Sequence, residues 1–298
     1  MATTSKIEHD APAKRVHRAP AWRERTLALE PDLQIATFAA GSTDPAAPTL
    51  LLIHGLGHWT QACWDFVGAE LEATHRLVAY DQPGFGRSSK PDRKYSLDFF
   101  VSTLESVVAA YGLEHFALAG HSLGGLVAAE YAGRTPPAVR SLTLIDPAGF
   151  LRTPKLLIRM VGSGPVTALF RSIRPSRGFV RRTFETAVFD PSVLDESMHE
   201  EMYRLSQDPQ MTRAFACVYR DALQSFLNLP LLHAGFARWK GPTRLLWGRE
   251  DKYVPIRALA GAQKVYPQAE TTILERCGHC PTIEFPTIVA GLLRDVPA

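Results

Sequence analysis

The sequence has few cysteines, no long apolar run and no concentrated charge. Four cysteines in 298 residues are too few for the disulfide framework of a small secreted domain, so reduced thiols are expected. No stretch approaches 18 uninterrupted apolar residues, and the first residues lack the apolar core of a signal peptide. A net charge of +3 without an Arg/Lys tract argues against nucleic-acid binding. These features predict a cytoplasmic protein with no integral membrane segment and a flexible N-terminal arm, residues 1–24.

From about residue 25, short apolar runs alternate with longer helical periodicities. This alternation is typical of an α/β fold, in which a mostly parallel sheet carries helices on both faces. Eight strands are predicted: RTLALE (25–30), LQIATFA (33–39), TLLLIH (49–54), RLVAYD (76–81), FALAG (116–120), LTLID (142–146), TRLLWG (243–248) and TTILE (271–275).

One connection is far too long to be a loop. Residues 147–240 separate two consecutive predicted strands and contain helical periodicities broken by Gly and Pro. The sequence therefore predicts a helical cap domain at 147–240, inserted into a core domain formed by residues 25–146 and 241–298.

The strongest local motif is G-x-S-x-G at residues 120–124, between a predicted strand and a predicted helix. A sharp strand-to-helix turn needs small residues two positions before and two after the serine, and Gly120 and Gly124 occupy them. Ser122 is therefore the candidate nucleophile. The turn also directs the start of the helix toward the reaction centre, so the backbone N–H of Leu123 is a candidate oxyanion donor.

A second oxyanion donor is expected from the glycine-containing loop that begins at His54. Leu56 is assigned this role, with Gly57 the nearby alternative, because the flanking glycines let backbone N–H groups approach a ligand. Gly57, His58 and Trp59 are the candidate substrate contacts. A phosphate-binding function is not favoured, because Thr60 stands where G-x-G-x-x-G has its third glycine.

A general base for Ser122 should be a histidine on a loop after a late strand, and His279 follows TTILE closely. Its carboxylate partner should follow the preceding strand, where Asp251 stands 28 positions before His279. Asp146, after the LTLI strand, is the alternative acid.

Five segments, in order, resemble the α/β-hydrolase family from about residue 25 to the end: HGLG (54–57), DQPGFGRS (81–88), GHSLGG (120–125), GREDKYVP (248–255) and CGHCPTIEFP (277–286). The resemblance implies a nucleophile, an acid and a base in that chain order, and it favours Asp251 over Asp146 as the acid. It also implies an enzyme that uses no cofactor and no metal.

The Cys277-Gly278-His279-Cys280 stretch also matches a dithiol-exchange motif. Such a site belongs at the start of a helix after an early strand, whereas only 18 residues follow Cys280 and Pro281 comes directly after it. A metal site would need a second ligand pair, which the sequence does not offer. Cys277 and Cys280 are therefore interpreted as packing residues beside a catalytic imidazole.

The expected activity is hydrolysis of carboxylic esters of small to medium apolar substrates. The alternatives are C–C bond hydrolysis of ring-cleavage products, lactonase or perhydrolase activity, and a ligand-binding protein on the same fold. C–C hydrolases of the family carry a Trp after the CGH histidine and an Asn in the oxyanion loop. This chain has Cys280 and no Asn from His54 to Phe66.

The predicted cap begins with a basic segment. Residues 151–182 contain eight Arg or Lys side chains and no acid. The favoured interpretation is that these cations solvate the outer faces of cap helices. The alternative is a surface that attracts an acidic substrate or, through peripheral contact, an anionic lipid, because apolar residues interleave with the charges. Oligomeric state is left open.

Overall fold

The computed structural model describes residues 3–7, 18–134, 137–161, 163–165, 168 and 174–294. These residues form one nine-stranded sheet in the order β1-β9-β8-β7-β6-β4-β5-β3-β2. β3 pairs antiparallel with β2 and β5, and the other described pairs are parallel. The predicted α/β class and mostly parallel sheet are confirmed. The strands are β1 (Thr4–Ile7), β2 (Arg23–Glu30), β3 (Leu33–Gly41), β4 (Thr49–Ile53), β5 (Arg76–Tyr80), β6 (Phe116–His121), β7 (Val139–Ile145), β8 (Thr243–Gly248) and β9 (Glu270–Leu274).

The sheet has one strand more than the eight predicted. The additional strand, β1, pairs in parallel with β9 at the edge of the sheet. It lies within residues 1–24, which the sequence predicts as a flexible arm. Its first three residues are polar and exposed and only Ile7 is apolar, so it lacks the apolar run that marks the inner strands. The rest of the predicted arm up to residue 17, except Thr3, lies outside the described residues.

Helices cover both faces of the sheet. Phe100 of α2 and Leu126 of α3 pack on one face with Leu51 and Val78. Trp64 of α1 and Val289 of α11 belong to the cluster on the opposite face, with residues such as Leu50 and Leu77. Alternate residues of one strand thus enter separate cores, which explains why the inner strands are apolar throughout. The helices outside residues 147–240 are α1 (Thr60–Leu71), α2 (Leu97–Ala110), α3 (Leu123–Arg134), α9 (Leu259–Val265), α10 (Pro281–Glu284) and α11 (Pro286–Arg294).

The long connection between β7 and β8 is a helical insertion. Its described residues form helices and turns but no strand, which confirms the predicted helical character. Met211 and Val218 pack on the core beneath, while Phe184 and Met198 form a smaller cluster with Cys280. That residues 147–240 act as a separate cap domain stays a prediction. The helices are α4 (Lys155–Val161), α5 (Arg177–Ala187), α6 (Glu196–Ser206), α7 (Pro209–Asp221) and α8 (Leu229–Phe236), with 3₁₀ turns at Pro191–Val193 and Ala222–Asn228.

In the described part of the chain, no helix has the length and apolarity needed to cross a membrane.

Candidate active site

Ser122 lies at the turn between β6 and α3. Its φ of 54° is in the left-handed region, where a residue with a side chain is strained, and such strain concentrates at functional sites. The turn is held on both sides, because the Ser122 N–H donates to Ile145 O (2.9 Å) and its carbonyl accepts from Leu126 (3.1 Å) and Ala148 (3.0 Å). The serine is therefore fixed at the carboxyl end of the central strand.

The two glycines of the motif are required by close packing of backbone. A Cβ on Gly120 would lie 2.3 Å from the carbonyl oxygen of Gly124, and a Cβ on Gly124 would lie 2.3 Å from that of Ile53. Neither neighbour is a flexible side chain that could move away. The geometry thus agrees with the reason the sequence suggested for glycine at both positions.

His279 and Asp251 are in direct contact. His279 Nδ1 donates to Asp251 Oδ2 at 2.7 Å, and both side chains are buried. Asp251 Oδ1 accepts from the N–H groups of Tyr253 (2.7 Å) and Val254 (2.9 Å), so both carboxylate oxygens are engaged. Burial acts to raise the pKa of Asp251, but the hydrogen bond and charge of His279 outweigh it and the pKa is lowered. Asp251 is thus an ionised partner that leaves His279 Nε2 free to take a proton.

The loop that carries His279 is attached to the serine turn through His121. His121 Nε2 donates to the carbonyl oxygen of His279 at 2.6 Å, and the two rings are 4.8 Å apart. Because His121 directly precedes Ser122, this bond brings the predicted base and the predicted nucleophile to the same edge of the sheet. Burial, followed by the charge of His279, lowers the pKa of His121 well below its ordinary value, so the bridging imidazole is neutral.

His54 braces the predicted oxyanion loop. Its Nδ1 donates to Gly55 O (2.7 Å) and its Nε2 accepts from the backbone N–H of Gln82 (2.8 Å). The Gln82 side chain donates in return to His54 O (2.6 Å). Burial lowers the pKa of His54, which keeps the ring in this neutral, bridging form.

The two predicted oxyanion donors have free backbone N–H groups. Among the described residues, neither the N–H of Leu56 nor that of Leu123 has a hydrogen-bond acceptor. Leu123 is the first residue of α3, where N–H groups lack intrahelical partners. Both groups can therefore bind a developing oxyanion.

Two of the three predicted substrate contacts lie under the helical insertion. A Cβ on Gly57 would be 3.2 Å from the Phe215 ring of α7, and its φ of +74° favours glycine. The His58 ring packs 6.0 Å from that of Phe184 in α5. Trp59 instead precedes α1 and packs against the main core. Burial lowers the pKa of His58 to about 3, so a neutral imidazole lines the site.

Asp146, the alternative acid, lies beside the pair but is bonded differently. Its Oδ1 accepts from the backbone N–H of Gly248 (3.0 Å), and its Oδ2 has no hydrogen-bond partner among the described residues. Asp146, Asp251 and His279 each place a side-chain atom within 4.8 Å of the others. Burial and the charge of Asp251 raise the pKa of Asp146 well above its usual range. Asp146 is thus a neutral neighbour of the ionised Asp251.

The cysteines are buried free thiols. Burial, with the charge of Glu284, raises the pKa values of Cys277 and Cys280 well above their ordinary value, which opposes the thiolate that exchange chemistry needs. His58, Cys63 and His121 place ligand-type atoms within 4.8 Å of one another. In that group the Cys63 thiol already contacts His121 Nδ1 at 3.7 Å, so hydrogen bonding accounts for the contact without an ion.

Sequence reasoning missed Glu284, a fully buried carboxylate below the His279 loop. Its Oε1 accepts from Gly278 N–H (2.8 Å) and its Oε2 from Phe189 N–H (2.7 Å). It thereby joins the base loop to the insertion, as does the bond from His279 N–H to Ala187 O (2.6 Å). The only signal in the sequence was a lone acid five residues after His279. Burial raises the pKa of Glu284 to about 7.

We expect Glu284→Gln to remove a pH dependence of folding stability. The native fold retains a proton that the unfolded chain, with an ordinary pKa of 4.5, has released, so stability falls as pH rises from about 4.5 to 7. A tenfold change in proton affinity corresponds to about 1.4 kcal/mol. The free energy of unfolding of the native chain should therefore fall by roughly 3 kcal/mol relative to that of the Gln variant over this interval. Urea unfolding at several pH values measures the difference.

The matched control is Glu250→Gln, because the Glu250 carboxylate accepts the Cys277 N–H of the same loop at 2.9 Å. A free-energy difference between native chain and Glu284→Gln that stays constant from pH 4.5 to 7 would show that Glu284 does not retain its proton.

Comparison with known proteins matches the part of the chain that contains the candidate site. A family model described as alpha/beta hydrolase fold matches residues 48–286, a span that contains Ser122, Asp251 and His279. The chain is 29% identical over 253 residues to 2-hydroxymuconate semialdehyde hydrolase of Pseudomonas sp. (strain CF600), covering 83% of this chain and 85% of that protein. It is 27% identical over 269 residues to lipase 1 of Psychrobacter immobilis, covering 85% and 80%. Its fold is similar to that of 2-hydroxy-6-oxo-6-phenylhexa-2,4-dienoate hydrolase from Rhodococcus sp. strain RHA1, with a TM-score of 0.77, 22% identity and coverage of 93% and 98%.

Proposed function

The chain belongs to the α/β-hydrolase family and is a hydrolase of that fold, and we propose that it is a serine hydrolase that cleaves carboxylic esters of small to medium apolar substrates. The observation that carries the proposal is the 2.7 Å bond between His279 Nδ1 and Asp251 Oδ2, on a loop attached through His121 to the strained turn at Ser122. A nucleophile, a base and an orienting acid are the groups that acyl transfer requires.

The proposed reaction has two steps. Ser122 Oγ attacks the ester carbonyl while His279 Nε2 takes its proton, and Asp251 stabilises the imidazolium that forms. The N–H groups of Leu56 and Leu123 bind the oxyanion; each such donor contributes about 3–4 kcal/mol to transition-state stabilisation. His279 then returns the proton to the departing alcohol. In the second step His279 activates water, which releases the acid and restores Ser122.

The electrostatic surroundings support this assignment. His54, His58 and His121 all have lowered pKa values because they are buried, so three imidazoles near the site remain neutral. His279 therefore does not gain its transient positive charge next to another cation. We further propose that the reaction needs no cofactor or metal, and that the reduced thiols reflect a cytoplasmic location.

C–C bond hydrolysis is the second candidate, and the likeness to 2-hydroxymuconate semialdehyde hydrolase favours it. Cys280 after the base and the absence of Asn from His54 to Phe66 argue for ester cleavage instead. The likeness to lipase 1 supports the ester. Lactonase or perhydrolase activity would use the same groups, whereas a ligand receptor would have no need of the His279–Asp251 pair.

A fluorophosphonate probe tests the proposal directly. We expect stoichiometric covalent labelling of the native chain and none of Ser122→Ala. Hydrolysis of p-nitrophenyl acetate and butyrate should then exceed hydrolysis of a 2-hydroxy-6-oxo-dienoate. Labelling with faster dienoate cleavage would select the C–C hydrolase, and a chain that neither labels nor turns over any ester would be a binding protein.

A further inference from the structure

The first helix of the insertion, α4, carries an unusual outer surface. The described residues include seven exposed large hydrophobic side chains, and three of them lie on this seven-residue helix. Leu156 is 71% exposed, Leu157 48% and Met160 56%, whereas Ile158 is buried at 2%. The helix therefore packs through Ile158 and leaves its larger apolar side chains in solvent, where burial against a partner would be favourable.

Cations border this apolar surface. Leu156 and Met160 are four residues apart and so form one row along the helix, and Lys155 and Arg159 form the adjacent row. Arg152 lies just before the helix. All three cations are exposed, and none has an acidic partner among the described residues.

Two of the three basic residues of α5 differ in this respect, whereas Arg182 is exposed and has no acidic partner among the described residues. Arg177 pairs with Glu200, and Arg181 pairs with Glu185 and Glu196 at 2.9 Å. The charges of Arg177 and Arg181 are thus paired within the insertion. The unpaired cations of α4 need a different explanation.

We propose that the α4 surface, comprising Arg152, Lys155, Leu156, Leu157, Arg159 and Met160, binds the surface of an anionic lipid bilayer. An apolar row beside a cationic row is the arrangement with which an interfacial helix inserts at the headgroup boundary. The apolar side chains enter the acyl region, and the Lys and Arg head groups reach outward to lipid phosphates. An acidic protein partner would complement the cations but not three large exposed hydrophobics on one turn and a half. Binding to a lipid bilayer goes beyond the proposed ester chemistry and does not depend on it.

Vesicle flotation tests the proposal with the full chain. At low salt, the native protein should float with vesicles of phosphatidylcholine and phosphatidylglycerol and remain unbound with phosphatidylcholine alone. We expect the bound fraction to fall at least tenfold in each of two double variants. Lys155→Glu/Arg159→Glu removes the attraction to anionic lipid, and Leu156→Asp/Met160→Asp removes the apolar surface that inserts. Arg238→Glu/Lys240→Glu is the matched control: it makes the same charge change at exposed positions before β8 and should bind like the native chain.

Hydrolysis of a water-soluble p-nitrophenyl ester shows whether each variant is correctly folded. If the chain proves not to be an esterase, thermal unfolding provides the same check. The proposal is overturned by a native chain that does not float with anionic vesicles, or by α4 variants that float like the control. It is also overturned if sedimentation shows a native dimer that Leu156→Asp/Met160→Asp converts to monomer, because a second copy would then cover the surface.

Discussion

His279→Ala is expected to lower kcat/KM for a p-nitrophenyl ester by on the order of 10⁵- to 10⁶-fold, the largest effect of any substitution outside Ser122. The imidazole acts first as base and then as acid in each of the two chemical steps, so its loss removes every proton transfer of the turnover. The remaining rate should come from the oxyanion donors Leu56 and Leu123, which the substitution leaves in place. The hydrogen bonds of His279 with Ala187 and His121 use only the backbone of His279 and not its own imidazole, so the loop should keep its position.

The matched control for His279→Ala changes Cys277 and Cys280, the two residues that give this segment the pattern of a dithiol-exchange motif. Cys277→Ser/Cys280→Ser should retain most ester turnover, because both thiols are buried, protonated packing groups. Steady-state kinetics of both variants, with thermal unfolding as a check on folding, makes the comparison. A double cysteine variant as inactive as His279→Ala would assign the thiols a chemical role and contradict this account.

Where local rules are strict, the sequence predicted the inner strands of the sheet and singled out the residues of the candidate site. A Cβ on Gly120 or Gly124 would lie 2.3 Å from a backbone oxygen, so the motif around Ser122 allows few other residues. The inner strands are buried on both faces, which makes them continuous apolar runs that are easy to recognise. Asp251 and His279 could be found because each follows such a strand.

The structural features that the sequence did not predict depend on contacts between distant segments. β1 is short and mostly polar, and only its pairing with β9 makes it a strand. Glu284 looks like an ordinary helical acid until the fold places Phe189, ninety-five positions away, against its carboxylate. The same holds for the basic segment, because only the structure shows that Arg177 and Arg181 are paired while Lys155 and Arg159 have no acidic partner in the described part of the chain. The pairings of Arg177 with Glu200 and of Arg181 with Glu196 join different helices and so have no local signature.

The second large effect is expected for Asp251→Asn, which should lower kcat by about 10⁴-fold with little change in structure. Asn Oδ1 can keep the bonds from Tyr253 and Val254 N–H, which turns the amide nitrogen toward His279 Nδ1. An amide donates where the carboxylate accepted. The imidazole must then carry its proton on Nε2, the wrong tautomer for a base that takes the Ser122 proton.

Asp146→Asn is the control that separates the two candidate acids. Because burial already keeps Asp146 neutral, an amide of the same shape can accept the Gly248 N–H through its oxygen, and we expect kcat to fall less than tenfold. The ratio of the two effects, measured with one ester at pH 7.5 and checked by thermal unfolding, identifies the acid that orients His279. The reverse order, a severe loss in Asp146→Asn and a mild one in Asp251→Asn, would move the acid to the end of β7 and leave the 2.7 Å contact as packing. A loss of similar size in both would mean that the buried carboxyl and the ionised one act as a coupled pair on His279.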